Sequence, residues 1–112
     1  MSEADIIFRL TSNTRIGDVN DLLRISARKG YTAAAELLLK DPRVDPGAAN
    51  NYCICYASQN GHVEVVKLLL ADPRVDPAAD NNYCIRWASI NGHTNVVKLL
   101  LADSRVDPDV CN

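Results

Sequence analysis

The chain's 112 residues give room for one small domain with a single core. Hydrophobic residues make up 47% and charged residues 23%, a globular balance rather than a disordered or membrane one. A net charge of -2 and a pI near 5.5 argue against nucleic-acid binding, which calls for a basic stripe, and no apolar run reaches the ~18 residues of a membrane span.

The chain starts with MSEADIIFRL, acidic where a secretory leader would be basic, so a cytoplasmic or nuclear location is expected. Ile6, Ile7 and Phe8 align with the leucine triplets Leu37 to Leu39, Leu68 to Leu70 and Leu99 to Leu101 farther along. Residues 1–19 therefore read as the last half of a repeat. Leu22 to Asp41 follows as a first full copy, in register with what comes after through Gly30, Gly61 and Gly92.

The register is clearest in the next two copies. Asp41 to Ala71 and Asp72 to Ala102 share 24 of 31 residues without a gap. Each copy divides at its glycine. Ahead of it, Ile54, Ala57 and Ser58 form a narrow apolar stripe on a short helix that Asn51 is placed to cap. Behind it, Val65, Val66, Leu69 and Leu70 form a wider stripe on a second short helix. Gly61 falls where the first helix must end, in the left-handed conformation that glycine adopts most readily. The DPRVDP segments that join the copies are kept out of helix by their prolines and are expected to run extended, and the Asn-Asn pair after each tolerates tight-turn geometry. A single hairpin of about 20 helical residues cannot bury its apolar face, whereas stacked neighbours share one core.

Three of the four cysteines fall in helical pattern, with Cys53 and Cys84 at the same place in successive copies. Packed helices lie roughly 8 to 10 Å apart, beyond the ~7 Å between Cα atoms that a disulfide tolerates. All four are expected as reduced thiols.

Glycine-histidine followed by VEVVKLLL, after a short helix ending in Ala-Ser and before a turn carrying Val-Asp, resembles the ankyrin repeat. The resemblance spans residues 20 to 108. It implies an all-α helical repeat solenoid with short turns between helix pairs, in one domain over 1–112 with repeats at about 20–40, 51–71 and 82–102. The unit is 31 residues rather than the family's ~33. Tyr52-Cys53-Ile54-Cys55 and Tyr83-Cys84-Ile85-Arg86 stand where the family carries Thr-Pro-Leu-His, so only Ile54 and Ile85 keep the leucine's character.

No constellation of reactive groups emerges, and neither catalysis nor a cofactor is expected. His62 and His93 repeat with the fold, at a separation too large for one acid-base pair, and read as turn histidines bonded to local backbone. Cys53 and Cys55, two apart on a helix, point to different faces and cannot share a tetrahedral metal. Asp41, Asp45, Asp72, Asp76, Asp103 and Asp107 alternate with Arg43, Arg74 and Arg105. They read as ladders of opposite charge rather than as a calcium array.

Function is therefore sought where the copies differ. The resemblance implies a concave groove of first helices and turn tips that binds a partner protein. Carried over position by position, it is lined by Arg24, Ile25, Arg28 and Lys29, then Tyr56, Gln59 and Asn60, then Trp87, Ile90 and Asn91, with Asp80 at a tip. Tyr, Trp and Arg anchor interfaces most often, and a groove of aromatic and basic residues favours an acidic or amphipathic segment. The alternative for Tyr56 and Trp87 is packing between adjacent first helices. For Arg28, Lys29, Gln59 and Asn60 it is a solvated helix end.

The third copy keeps Val96, Val97 and Leu99 to Leu101 where a terminal unit would turn polar. Either the chain is a segment of a longer array, or it associates end to end, or Asp107 to Asn112 covers the face. Binding scaffold and structural array segment are the two functional expectations. A monomer is expected, with end-to-end association as the alternative.

Overall fold

The computed structural model describes residues 1–11 and 19–106, apart from the side chains of Asp80 and Asn81. The described residues form helices α1 (Glu3–Thr11), α2 (Val19–Lys29), α3 (Thr32–Leu39), α4 (Ala48–Gln59), α5 (Val63–Leu70), α6 (Ala79–Ile90) and α7 (Thr94–Ala102), with no strand among them. The pairs α2/α3, α4/α5 and α6/α7 are hairpins. First helices pack side by side in the order α2, α4, α6 and second helices in the order α1, α3, α5, α7. The stack measures 48 × 23 × 18 Å, the elongation expected of units that touch only their neighbours.

Each hairpin closes at its glycine. Gly61 has φ +74°, Gly61 N donates to Ser58 O at 3.2 Å, and His62 N reaches back to Ala57 O at 2.9 Å. This pair of bonds, with a left-handed glycine, satisfies the last carbonyls of α4 and turns the chain into α5. The bond from His93 N to Ala88 O, also 2.9 Å, repeats it one unit later.

The apolar stripes fall inside. Ile54, Ala57 and Ser58 are fully buried on α4, as are Val65, Val66 and Leu69 on α5, while Leu70 is half-buried. Val44, Val75 and Val106 extend the same core into the linkers. At the N-terminus only Ile6 of the three aligned apolar residues is buried, and Phe8 is exposed. Helix α1 is fastened through Glu3, whose Oε2 accepts Ala33 N at 3.1 Å and Ala34 N at 3.4 Å, a carboxylate at the positive end of α3.

Two local expectations need correction. The linkers bend through turns rather than running extended. Asp72 Oδ1 accepts Arg74 N at 2.9 Å, Val75 N donates to Asp72 O at 3.1 Å, and Asp76 Oδ1 accepts Ala78 N at 3.0 Å. Short aspartate side chains stand in for backbone acceptors here. Nor does Asn51 cap α4. Ala49, Asn50 and Asn51 hold left-handed angles (φ 54°, 59° and 61°), and Asn51 Oδ1 accepts Asp76 N of the next linker at 2.8 Å. Asn20 Oδ1 does the same for Asp45 N at 2.7 Å. The asparagines tie unit to unit.

Candidate functional site

The first helices present their outer sides along the stack, and a hollow opens between α2 and α4. A cleft of about 420 Å³ is lined there by Asp21, Arg24, Ile25, Arg28 and Tyr52. Arg24 pairs with Asp21 one turn earlier and lies 5.9 Å from the centre of the Tyr52 ring. Arg28 and Lys29 are exposed, and Ile25 is half-buried. The cleft therefore combines an apolar floor with guanidinium groups at its edge.

Farther along, Tyr56 stacks on Tyr52 with ring centres 4.1 Å apart, and Trp87 lies 5.8 Å from Tyr83 at a tilt. All four aromatics are half-buried, so each has a packed face and a solvent face. Gln59 is half-buried with its Oε1 enclosed and meeting no donor among the described residues. Ile90 is 69% exposed.

Asn60 and Asn91 hold the stack together. Asn60 Nδ2 donates to Arg28 O at 3.2 Å, and Asn91 Nδ2 donates to Gln59 O at 3.0 Å, one unit back in each case. The side chain of Asp80 lies outside the described residues.

Tyr52 was missed by comparing copies, since Tyr52 and Tyr83 are identical residues at one register position. The signal available was the aromatic pair four residues apart in each unit, Tyr52 with Tyr56 and Tyr83 with Trp87. That spacing puts both rings on one helix face.

His62 bonds to the neighbouring unit rather than to its own turn. His62 Nε2 donates to Arg28 O at 2.8 Å, and its ring lies across Gly30 so closely that a Cβ there would fall 2.6 Å from Nδ1. His93 covers Gly61 in the same way. In the charged linkers the expected opposite charges do pair. Asp72 pairs with Arg74 at 2.7 Å and Asp103 with Arg105 at 2.8 Å, each within its own turn. The guanidinium groups then cross to backbone oxygens of the previous unit. Arg74 donates to Val44 O at 2.8 Å and Leu39 O at 3.3 Å, and Arg105 donates to Val75 O and to Leu70 O at 2.9 Å. Hydrogen bonding to the guanidinium lowers the pKa of each aspartate, to about 2 for Asp41 beside Arg43.

No group of His, Cys, Asp or Glu among the described residues is arranged to hold a metal ion, and no helix among them is long and apolar enough to cross a membrane. Burial raises the Cys53 thiol to about 12. Cys84 is also raised, first by the hydrogen bond with Cys55 and then by burial.

Neither a curated protein nor a solved structure matches the chain. The family model described as ankyrin repeats in three copies matches residues 13–112, nearly the whole chain. Three helix pairs closed by left-handed glycines, stacked every 31 residues and bonded through Asn, His and Arg at fixed offsets, are the structural counterpart of that match. The chain belongs to the ankyrin-repeat family, whose members generally mediate protein–protein interaction.

Proposed function

We propose that this chain is a protein-interaction scaffold that holds an acidic, amphipathic segment of a partner protein along its first helices, and that it works in the cytoplasm or nucleus without catalysis. Residues 1–112 act as one domain, a half-repeat followed by three repeats. The observation that carries the reading is the cleft between α2 and α4, where Arg24 and Arg28 edge an apolar floor of Ile25 and Tyr52. A partner carboxylate would find the exposed Arg28, and an apolar side chain would cover Ile25. Tyr56 and Trp87 extend the contact row toward Ile90, and Lys29 and Gln59 border it. Asn60 and Asn91 contribute shape, because their amide groups are engaged with the preceding unit.

Affinity capture with the intact chain tests this, run beside Arg28→Glu and Trp87→Ala variants whose helicity is checked by circular dichroism. A protein retained by the parent chain and lost from both folded variants supports the groove. Retention equal in all three removes it. Truncating a buried aromatic or arginine anchor typically costs ~2 kcal/mol or more of binding. A tenfold or greater drop in affinity is therefore expected for Trp87→Ala.

A second reading has its own observation. Ser58 is fully buried and its counterpart Ser89 is exposed; Ile90 and Leu101 are also open to solvent. That face suits a further helix pair, either from a longer array or from another copy. Light scattering across a concentration series tests the second possibility. A mass that doubles with concentration supports end-to-end association, and a constant monomer mass excludes it.

A further inference from the structure

Cys55 and Cys84 belong to adjacent first helices, α4 and α6, and their Sγ atoms lie 2.8 Å apart in the buried junction of the second and third units. We propose that this pair is a site of reversible disulfide formation, a covalent staple between two repeats that peroxide can set. The expected separation of about 8 to 10 Å concerned Cys53 and Cys84, which share a register position. Cys55 stands two residues farther along and faces back across the junction.

The register makes the pair particular to one junction. The counterparts of Cys55 are Arg24 in the first unit and Arg86 in the third, while those of Cys84 are Leu22 and Cys53. At the junction of the first and second units the same two register positions hold Arg24 and Cys53, a different chemistry. Among the described residues, two thiols converge only where cysteine replaces arginine. A shift of backbone or rotamer small compared with the helix spacing brings them to a bond of about 2.05 Å.

The chemistry balances with hydrogen peroxide as the two-electron oxidant. Cys55 is 5% exposed and Cys84 is fully buried, so Cys55 reacts first. Its sulfur gives up its proton to water and attacks one peroxide oxygen. The O–O bond breaks, and the departing hydroxide takes up a proton as water, leaving Cys55 as a sulfenic acid. The Cys84 sulfur then attacks the Cys55 sulfur and the S–O bond breaks. The hydroxide released leaves with the Cys84 proton as the second water. Both thiols are enclosed, so the reaction proceeds through transient opening of the third unit, which has a single neighbour among the described residues.

The test is oxidation of the full chain by hydrogen peroxide, quenching with an alkylating agent in denaturant, and mass spectrometry with fragment-ion mapping. The expected product is a peptide pair joining Cys55 to Cys84, reversed by dithiothreitol, with Cys53 and Cys111 still alkylated. Closing a loop of about 30 residues should raise the melting temperature by at least about 10 °C. A Cys53→Ala/Cys111→Ala double variant should form the link as readily, and Cys55→Ala should not form it. If either variant fails to fold, fragment mapping of the parent chain decides alone. Four alkylated thiols after exhaustive oxidation would overturn the proposal. So would a link made by Cys53 or Cys111 instead, or a Cys55–Cys84 link that lowers the melting temperature.

Discussion

The second and third units share 24 of 31 residues yet sit in different surroundings, because among the described residues one has neighbours on both sides and the other on one. Gly61 and Gly92 have nearly the same backbone, φ +74° and +75°. A Cβ on Gly61 would meet the His93 ring, while a Cβ on Gly92 would meet nothing within 4 Å. Val66 is fully buried and Val97 half-buried; Ser58 is enclosed and Ser89 open. Identical sequence acquires different energetic weight from what the next unit adds. In a stacked array, therefore, the cost of a substitution depends on how many neighbours a unit has as well as on the residue changed.

The largest break in that comparison is Leu69→Ala. Leu69 is fully buried in the doubly covered unit, and the cavity should cost ~2 to 5 kcal/mol in chemical denaturation, against a total of ~5 to 15 for a domain of this size. Lys67→Ala, on the same helix but exposed and paired with Glu64 at 3.3 Å, should be nearly silent. A similar loss from both would mean that α5 does not lie between its neighbours.

Next come the glycines. Alanine at either position meets the left-handed penalty of about 1 to 2 kcal/mol, and at Gly61 it must also displace His93, adding ~1 kcal/mol or more. Thermal melts of Gly61→Ala and Gly92→Ala should show the larger loss at Gly61. Equal losses would place the third unit under a cover like that of the second.

The arginines sharpen the comparison on the linker side. Arg74 bonds two carbonyl oxygens of the preceding unit as well as Asp72, whereas Arg43 is bonded, among the described residues, to Asp41. Arg74→Ala should cost about 1 to 2 kcal/mol and Arg43→Ala under about 1, read from denaturant midpoints at constant slope.

The smallest effect is the pH dependence of these pairs. Folded-state pKa values of Asp41, Asp72 and Asp103 lie below the ordinary ~3.9. Their contribution is therefore complete above about pH 4 and is lost as pH falls through the depressed values, toward about 2 for Asp41. Melts between pH 6 and pH 2 should show the parent chain losing stability over that acid range. Arg74→Ala should lose less, since Asp72 has already lost its partner.

Much of this was legible in the sequence. The 31-residue period, the hairpin closed at each glycine and the buried stripes need only patterning and glycine's conformational freedom. What was illegible is everything that crosses between units. Asn51 carries the signature of a helix cap, but its carboxamide bonds the next linker, because three left-handed residues turn it away from its own helix. His62 looks local and bonds backbone 34 residues earlier. Cys55 and Cys84 differ in register by two positions, and only the crossing of α4 and α6 brings their sulfurs together. Periodicity gives the spacing of the repeats but not the angle and offset at which one repeat lies on the next. In the proposed groove, differences between copies marked Tyr56 and Trp87 and passed over Tyr52, which lines the cleft beside Arg24.

Hydrogen exchange read amide by amide along α5 and α7 tests the stacking most directly, since the two helices have nearly the same sequence and differ in their neighbours. One-sided cover predicts that Val97 to Leu101 exchange faster than Val66 to Leu70 under native conditions. Equal protection of the two helices, or slower exchange in α7, would contradict it.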